Sequence, residues 1–176
     1  MGKIYDVIVI GSGPAGLTAG LYSGRSLLST LIIEKSKTGG QAVVTDEIEN
    51  YPGGEAGETG ASLIAKMAAQ AERFGAERVS DEVTEVNFDG EIKKITGKKG
   101  EYLGKTVIIA SGAYPRVIGC EGEGAFTGKG VSYCATCDAA FFEDLEVYVV
   151  GGGDSAIQEA LFIARFARKI TIIQKV

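Results

Sequence analysis

A chain of 176 residues with 45% apolar and 23% charged side chains is long enough to bury a core and is ordinary for a globular protein. Its 18 Lys and Arg against 23 Asp and Glu leave a net charge of −5, which argues against nucleic acid as a partner, because phosphate binding calls for a basic face. The absence of histidine excludes His-based triads, His-ligated metals and imidazole acid–base chemistry, so any proton moves through a carboxylate, thiol, phenol, amine or water.

Residues 4–10 are β-rich and nearly continuously apolar, as in a strand covered on both faces. The run is too short for a membrane span, contains Asp6, and lacks the charged, apolar and cleavage regions of a signal peptide. Asp6 also stands where N-myristoylation of Gly2 would need Ser or Thr. A cytoplasmic chain without membrane association is the expectation. Next comes Gly11-Ser12-Gly13-Pro14-Ala15-Gly16, which opens a helix with Pro14 near its first position and Leu17, Ala19, Leu21 and Tyr22 continuing it. A second strand over residues 29–33, ending at Glu34, closes a βαβ unit.

Residues 35–58 read as a long loop with a turn at Pro52-Gly53-Gly54, and loops of this length are usually functional. Residues 61–74 return to helical spacing, with Leu63, Ile64, Met67, Ala68, Ala71 and Phe74 on one face and Gly75 as the stop. Residues 83–88 and 92–96 flank the hairpin signal Asp89-Gly90, and residues 102–110 complete a β-meander. A second βαβ unit is expected from a strand at 145–150, a turn at Gly151, a helix at 155–167 and a strand at 170–173. One such unit falls short of the several parallel strands that cover a ligand crevice, so the chain is read as an N-terminal fragment.

The first turn has the chemistry of a dinucleotide site. Gly11 permits a tight bend, Gly13 lets the backbone approach a pyrophosphate, and Gly16 allows close helix–strand packing, while the helix start offers free N–H groups and a partial positive charge. Glu34 lies where an acid accepts hydrogen bonds from a ribose. Gly151-x-Gly153-x-x-Ala156 repeats the pattern with alanine at the packing position and no acid after it; only Lys175 favours a 2′-phosphate, which leaves NAD against NADP open.

Three cysteines do not make a disulfide scaffold. Cys120 reads as small apolar filler. Cys134-Ala135-Thr136-Cys137 is a single C-x-x-C with too few ligands for a closed zinc site; a redox dithiol, with one thiolate poised to attack, competes with an inert buried pair. Asp138 serves either as a proton relay or as an exposed cap of the turn. Two nucleotide turns and one cysteine pair in a single chain point to electron transfer.

In these motifs, with Gly39-Gly40-Gln41, Glu49-Asn50-Tyr51-Pro52-Gly53 and Gly130-Val131-Ser132-Tyr133 ahead of the cysteines, the chain resembles the N-terminal part of the low-molecular-weight bacterial thioredoxin reductases, class II pyridine nucleotide-disulfide oxidoreductases. The resemblance implies an α/β fold. A Rossmann-like FAD-binding domain with a β-meander would span residues 1–114, its C-terminal return segment missing, and an incomplete Rossmann-like NAD(P)H-binding domain with the C-x-x-C would span 115–176. It carries FAD contacts onto Gly11, Ser12, Gly13, Pro14, Ala15, Gly16, Glu34, Lys35, Gly39, Gly40, Gln41, Asn50, Val83, Ala110 and Gly112. NADPH contacts fall on Gly151, Gly153, Asp154, Ser155 and Ala156, and no metal is implied.

By the same resemblance electrons pass from NADPH through FAD and the Cys134–Cys137 disulfide to thioredoxin. Cys137 would face the flavin, Cys134 would attack thioredoxin, and Asp138 would donate the proton. The thioredoxin couple lies near about −270 mV, so the dithiol needs a potential close to that or lower. A homodimer, a domain rotation hinged near residues 111–116 and weak FAD binding by this stretch alone are further implications. Gln174-Lys175-Val176 departs from the His-Arg-Arg usual in the family, which keeps NADH or ferredoxin open as donor. A non-catalytic dinucleotide-binding module is the alternative of a different class.

Overall fold

The computed structural model describes residues 2–174, which form two compact units divided between Tyr114 and Pro115.

In the first unit β1 (Ile4–Ile10) leads through the glycine turn into α1 (Pro14–Arg25) and then β2 (Thr30–Glu34). A 3₁₀ turn, Gly40–Val44, precedes α2 (Gly60–Arg73). There follow β3 (Ala76–Ser80), β4 (Val83–Asn87), β5 (Lys93–Gly97) and β6 (Glu101–Ile109). The sheet order is β3-β2-β1-β6-β5-β4. The strands from β3 to β6 run parallel, and β6-β5-β4 is the antiparallel meander.

Alternation along β1 builds two cores. Val7 and Val9 pack with Leu17 of α1, Ile32, and Ile64, Ala68 and Ala71 of α2. Ile8 points to the other face and packs with Leu31, Ile33 and Ile95 of β5, so the central strands β1 and β2 are covered on both faces. Helix α1 approaches closely because Gly16, Gly20 and Gly24 lie on one face. A Cβ at Gly20 would fall 2.5 Å from Ile32 Cδ1, and one at Gly24 would fall 2.4 Å from Phe74 O. Thr59 caps α2 by accepting from Ser62 N–H, and the Ser62 hydroxyl accepts from Thr59 N–H in return.

Strand β3 is absent from the sequence reading. It is an edge strand bearing Glu77 and Arg78, and edge strands carry charge at the expense of an apolar pattern. Just beyond it, Asp81 is 2% exposed. Its carboxylate accepts from Glu82 N–H at 2.8 Å, Lys99 N–H at 3.1 Å and Tyr102 O–H at 2.8 Å, tying β3 to the meander. Burial pushes the Asp81 carboxyl up, but these hydrogen bonds outweigh burial and hold it below the usual carboxylate range. The Tyr102 phenol is pushed up to about 12 by burial and by its bond to Asp81.

The second unit holds two short helices, α3 (Glu123–Phe126) and α4 (Ala135–Asp138), and a 3₁₀ turn, Ala139–Phe142. It ends in β7 (Glu146–Val150), α5 (Asp154–Ile163) and β8 (Lys169–Ile173), with β7 and β8 parallel. Ile163 packs with Ala135 and Ala139, against which Val147, Val149 and Ile170 are laid. Helix α5 is shorter than the expected 155–167. After Ile163 the bonds tighten, Arg165 N–H donating to Phe162 O and Phe166 N–H to Ile163 O, and Phe166 O accepts from Asp144 N–H. No helix among the described residues is long and apolar enough to cross a membrane.

Two outcomes follow for stability. Gly16→Ala, whose Cβ would fall 1.9 Å from Gly11 O, is expected to destabilise the first unit by about 1–3 kcal/mol in urea unfolding. Because the Asp81 carboxyl is depressed on folding, its contribution is present above the ordinary carboxylate range and is lost as pH falls through the folded value. Tyr102→Phe should therefore unfold at lower urea than the parent at neutral pH, with the gap narrowing below about pH 4.

Candidate functional site

The two glycine turns are built alike, one in each unit. Gly11 N–H donates to Ile33 O at 2.8 Å, and Gly151 N–H donates to Ile173 O at 2.8 Å, so each turn pins the end of its strand to the parallel neighbour before the helix begins. Gly11 at φ +105° and Gly151 at φ +138° hold backbone conformations that favour glycine. A Cβ on Gly11 would also fall 2.2 Å from Ala110 O.

Gly13 and Gly153 are different. They precede α1 and α5 at φ −70° and −85°, which any residue adopts. An added Cβ would meet nothing nearer than 3.9 Å at Gly13 and nothing within 4 Å at Gly153. Neither backbone nor packing asks for glycine at these two places. Their bare Cα atoms leave open the first N–H groups of helices that no side chain caps. That is the cradle a pyrophosphate fits. At position 156 an alanine methyl faces the turn, and a Cβ added to Gly151 would meet it at 3.1 Å.

Around the first turn the chain gathers most of the residues expected there. Glu34 Oε2 accepts from Ser12 N–H at 2.8 Å and its hydroxyl at 2.9 Å, and Oε1 accepts from Ser36 N–H at 3.0 Å. Burial pushes the Glu34 carboxyl up, yet the bonds from Ser12 and Ser36 prevail and hold it below the ordinary glutamate range. The Ser36 hydroxyl also donates to Oε1 at 3.2 Å, so the result is an oriented anion whose four acceptor sites are filled, and a ribose hydroxyl would take the place of one of these serine donors. Ser12 is fully buried, so its hydroxyl orients the acid. Gly39 N–H donates to Ser12 O at 3.0 Å, and a Cβ on Gly40 would lie 3.4 Å from Gly13 Cα, which brings the 3₁₀ turn against the nucleotide turn.

The remaining positions are dispersed. Pro14 and Ala15 form the first turn of α1. Lys35 places Nζ 5.5 Å from the Tyr114 ring centre. Gln41 and Asn50 are exposed in the loop ahead of α2, and Gly112 is exposed beyond β6 at φ +69°. Val83 packs with the core beneath the meander. In the second unit Asp154 and Ser155 open α5 and are exposed, and the Gln174 side chain lies over Gly152, where a Cβ would fall 2.0 Å from Oε1. Lys175, the expected phosphate contact, lies outside the described residues.

Cys134 and Cys137 are disulfide-bonded, with Cα atoms 5.3 Å apart across the start of α4. Cys134 is half-buried and Cys137 exposed. The Ser132 hydroxyl accepts from Cys134 N–H at 3.1 Å and donates to Asp138 Oδ2 at 2.5 Å. Cys134 O accepts from Cys137 N–H at 3.2 Å and Asp138 N–H at 3.1 Å. Asp138 is thus half-buried and held by a hydroxyl that also holds the first cysteine.

Ser132 stands in the Gly130–Tyr133 stretch ahead of the cysteines, which by itself gives it no role toward Asp138; two residues before a cysteine is a spacing at which hydroxyls bond local backbone. Cys120, by contrast, is exposed rather than filler, because residues 113–120 run without regular structure and leave Val117 and Ile118 exposed as well.

Residues 5–176 match the family model of the pyridine nucleotide-disulphide oxidoreductases. A thioredoxin reductase of Peptoclostridium acidaminophilum is 57% identical over 175 residues, 99% of this chain and 56% of that one. The crystal structure of the thioredoxin reductase from Streptococcus pyogenes superposes with a TM-score of 0.89 at 48% identity, covering 96% of this chain and 55% of that one. A ferredoxin-flavin thioredoxin reductase from Clostridium acetobutylicum superposes with a TM-score of 0.56 at 32% identity, covering 98% and 60% of the two chains. The chain spans about half the length of the relatives it matches. On the family match and these identities, together with a paired glycine-turn architecture and a cysteine disulfide, the chain belongs to the pyridine nucleotide-disulphide oxidoreductase family.

Proposed function

We propose that this chain supplies the dinucleotide and dithiol parts of a thioredoxin-disulfide reductase, which passes two electrons from NADPH through FAD and the Cys134–Cys137 disulfide to oxidised thioredoxin. The observation that carries the reading is the disulfide with its serine-held acid, in the same compact unit as an open glycine turn. Family membership implies flavin and pyridine nucleotide binding. FAD is assigned to residues 1–114, where Glu34, Ser12 and the Gly39–Gly40 backbone surround the first turn. NADPH is assigned to residues 115–176, at the second turn.

When bound, FAD supplies the two-electron relay between the reduced nicotinamide and the disulfide. The chain's own part is thiol chemistry. With the pair reduced, the Cys134 thiolate attacks one sulfur of the thioredoxin disulfide, forming a mixed disulfide and expelling a thiolate that takes a proton relayed by Asp138. Cys137 then attacks Cys134 Sγ, the mixed disulfide breaks, and the second thioredoxin thiolate leaves as Cys134–Cys137 re-forms. Each turnover consumes two electrons and yields a dithiol. A homodimer in the cytoplasm, where a reducing pool lets such a pair cycle, completes the reading.

A second reading concerns the donor. Gln174 beside Gly152 is neutral, and Gln174-Lys175-Val176 offers one lysine where a pair of arginines would clamp a 2′-phosphate. NADH or ferredoxin is the alternative donor to the same dithiol, and steady-state turnover with each donor separates them.

Gly13→Ala and Gly153→Ala are expected to leave the urea midpoint within about 0.5 kcal/mol of the parent while weakening FAD and NADPH binding, respectively, at least about tenfold by fluorescence titration. Equal affinity in both variants would remove the cradle from the argument. Cys137→Ser in the holoenzyme should abolish thioredoxin turnover yet retain flavin bleaching by the donor; retained disulfide turnover would sink the assignment.

A further inference from the structure

Glu123 is a buried acid to which the thiol chemistry assigns no part. It is 6% exposed, and its carboxylate accepts from Ile118 N–H at 2.8 Å, Gly119 N–H at 2.7 Å and Tyr133 O–H at 2.6 Å. Tyr133 is covalently joined to Cys134. The hydroxyl of Thr127 donates to Glu123 O at 2.9 Å, which fixes the short helix that presents the acid. The segment that leads into Cys134 is therefore anchored twice, by Glu123 through Tyr133 and by the Ser132 hydroxyl at the Cys134 N–H.

We propose that Glu123 and Tyr133 form a positioning pair for the attacking cysteine, holding the Cys134 backbone so that its sulfur stays beside the Thr136 hydroxyl. Cys134 Sγ lies 3.5 Å from Thr136 Oγ1, and in the reduced protein that hydroxyl donates to the thiolate. A weak contact of this kind survives only if the backbone carrying the sulfur does not wander. Tyr133 spans the gap, because its ring reaches from the residue before Cys134 back to an acid ten residues earlier in the chain. The bond to Tyr133, followed by those from Ile118 and Gly119 against the cost of burial, holds the Glu123 carboxyl below the ordinary range, so it stays an anionic acceptor. Glu123 touches neither sulfur and acts only through Tyr133.

The proposal deepens the dithiol reading and rests on it for the identity of Cys134 as the attacking thiol. Its test uses the complete holoenzyme reduced with dithiothreitol and freed of reductant. Iodoacetamide is added at fixed neutral pH, and peptide mass spectrometry follows Cys120, Cys134 and Cys137 separately. Tyr133→Phe deletes the phenol donor alone, and Glu123→Gln replaces the anionic acceptor of Tyr133, Ile118 and Gly119 by an amide, each with almost no change of volume. Each should slow modification of Cys134 about threefold to tenfold, the worth of one hydrogen bond to the thiolate, with Cys120 unchanged. The double variant should be no slower than Glu123→Gln alone, because that variant has already lost the carboxylate to which Tyr133 bonds.

Equal Cys134 rates in parent and variants, multiplicative losses in the double variant, or variants that do not fold would each overturn the positioning role. Thioredoxin turnover of the parent is measured alongside. A parent without it would overturn the proposed function, while the modification rates would still decide the pair.

Discussion

The first N–H groups of a helix stay open to an outside acceptor only where no cap covers them, and α1 and α5 both begin that way, each behind a glycine. Gly13 and Gly153 have ordinary backbone angles and open space around the missing Cβ, so neither the backbone nor the packing asks for glycine there. The neighbouring glycines serve the chain itself. Gly11 bends the backbone beneath Ala110, and Gly16 lets α1 cross above Gly11. Removing the side chain at four places sets where the strand stops, how steeply the helix leaves and which donors remain free.

Much of this is legible in the sequence because it is local. Strand, glycine turn and helix follow within a few residues, and the terminal Glu34 of β2 bonds back to Ser12 of the turn. What escapes is set by tertiary context. The edge strand β3 hides behind Glu77 and Arg78, and the Asp81 junction between β3 and the meander joins residues far apart in sequence. Helix α5 stops at Ile163 although apolar residues continue, because Phe166 turns to receive the Asp144 N–H.

At the dithiol the spacing Cys134-x-x-Cys137 is visible in sequence, whereas its supports are not. Ser132 links one cysteine to Asp138 through a single hydroxyl, and Glu123 reaches the same segment from a separate four-residue helix. Neither contact can be read from spacing, since each depends on how an irregular loop closes. The family match extends across this region, while the contacts that hold the cysteine pair are set by tertiary structure.

The exposed Cys120 gives this small unit an internal reference electrode of a kind. With Cys134 and Cys137 joined, the chain presents one free thiol, and after two-electron reduction it presents three. The always-countable sulfur lies in the same compact unit as the pair whose state is in question. Any thiol count on native protein thus reads the fraction of reduced dithiol directly against a fixed baseline, without a flavin, a donor or a partner being present.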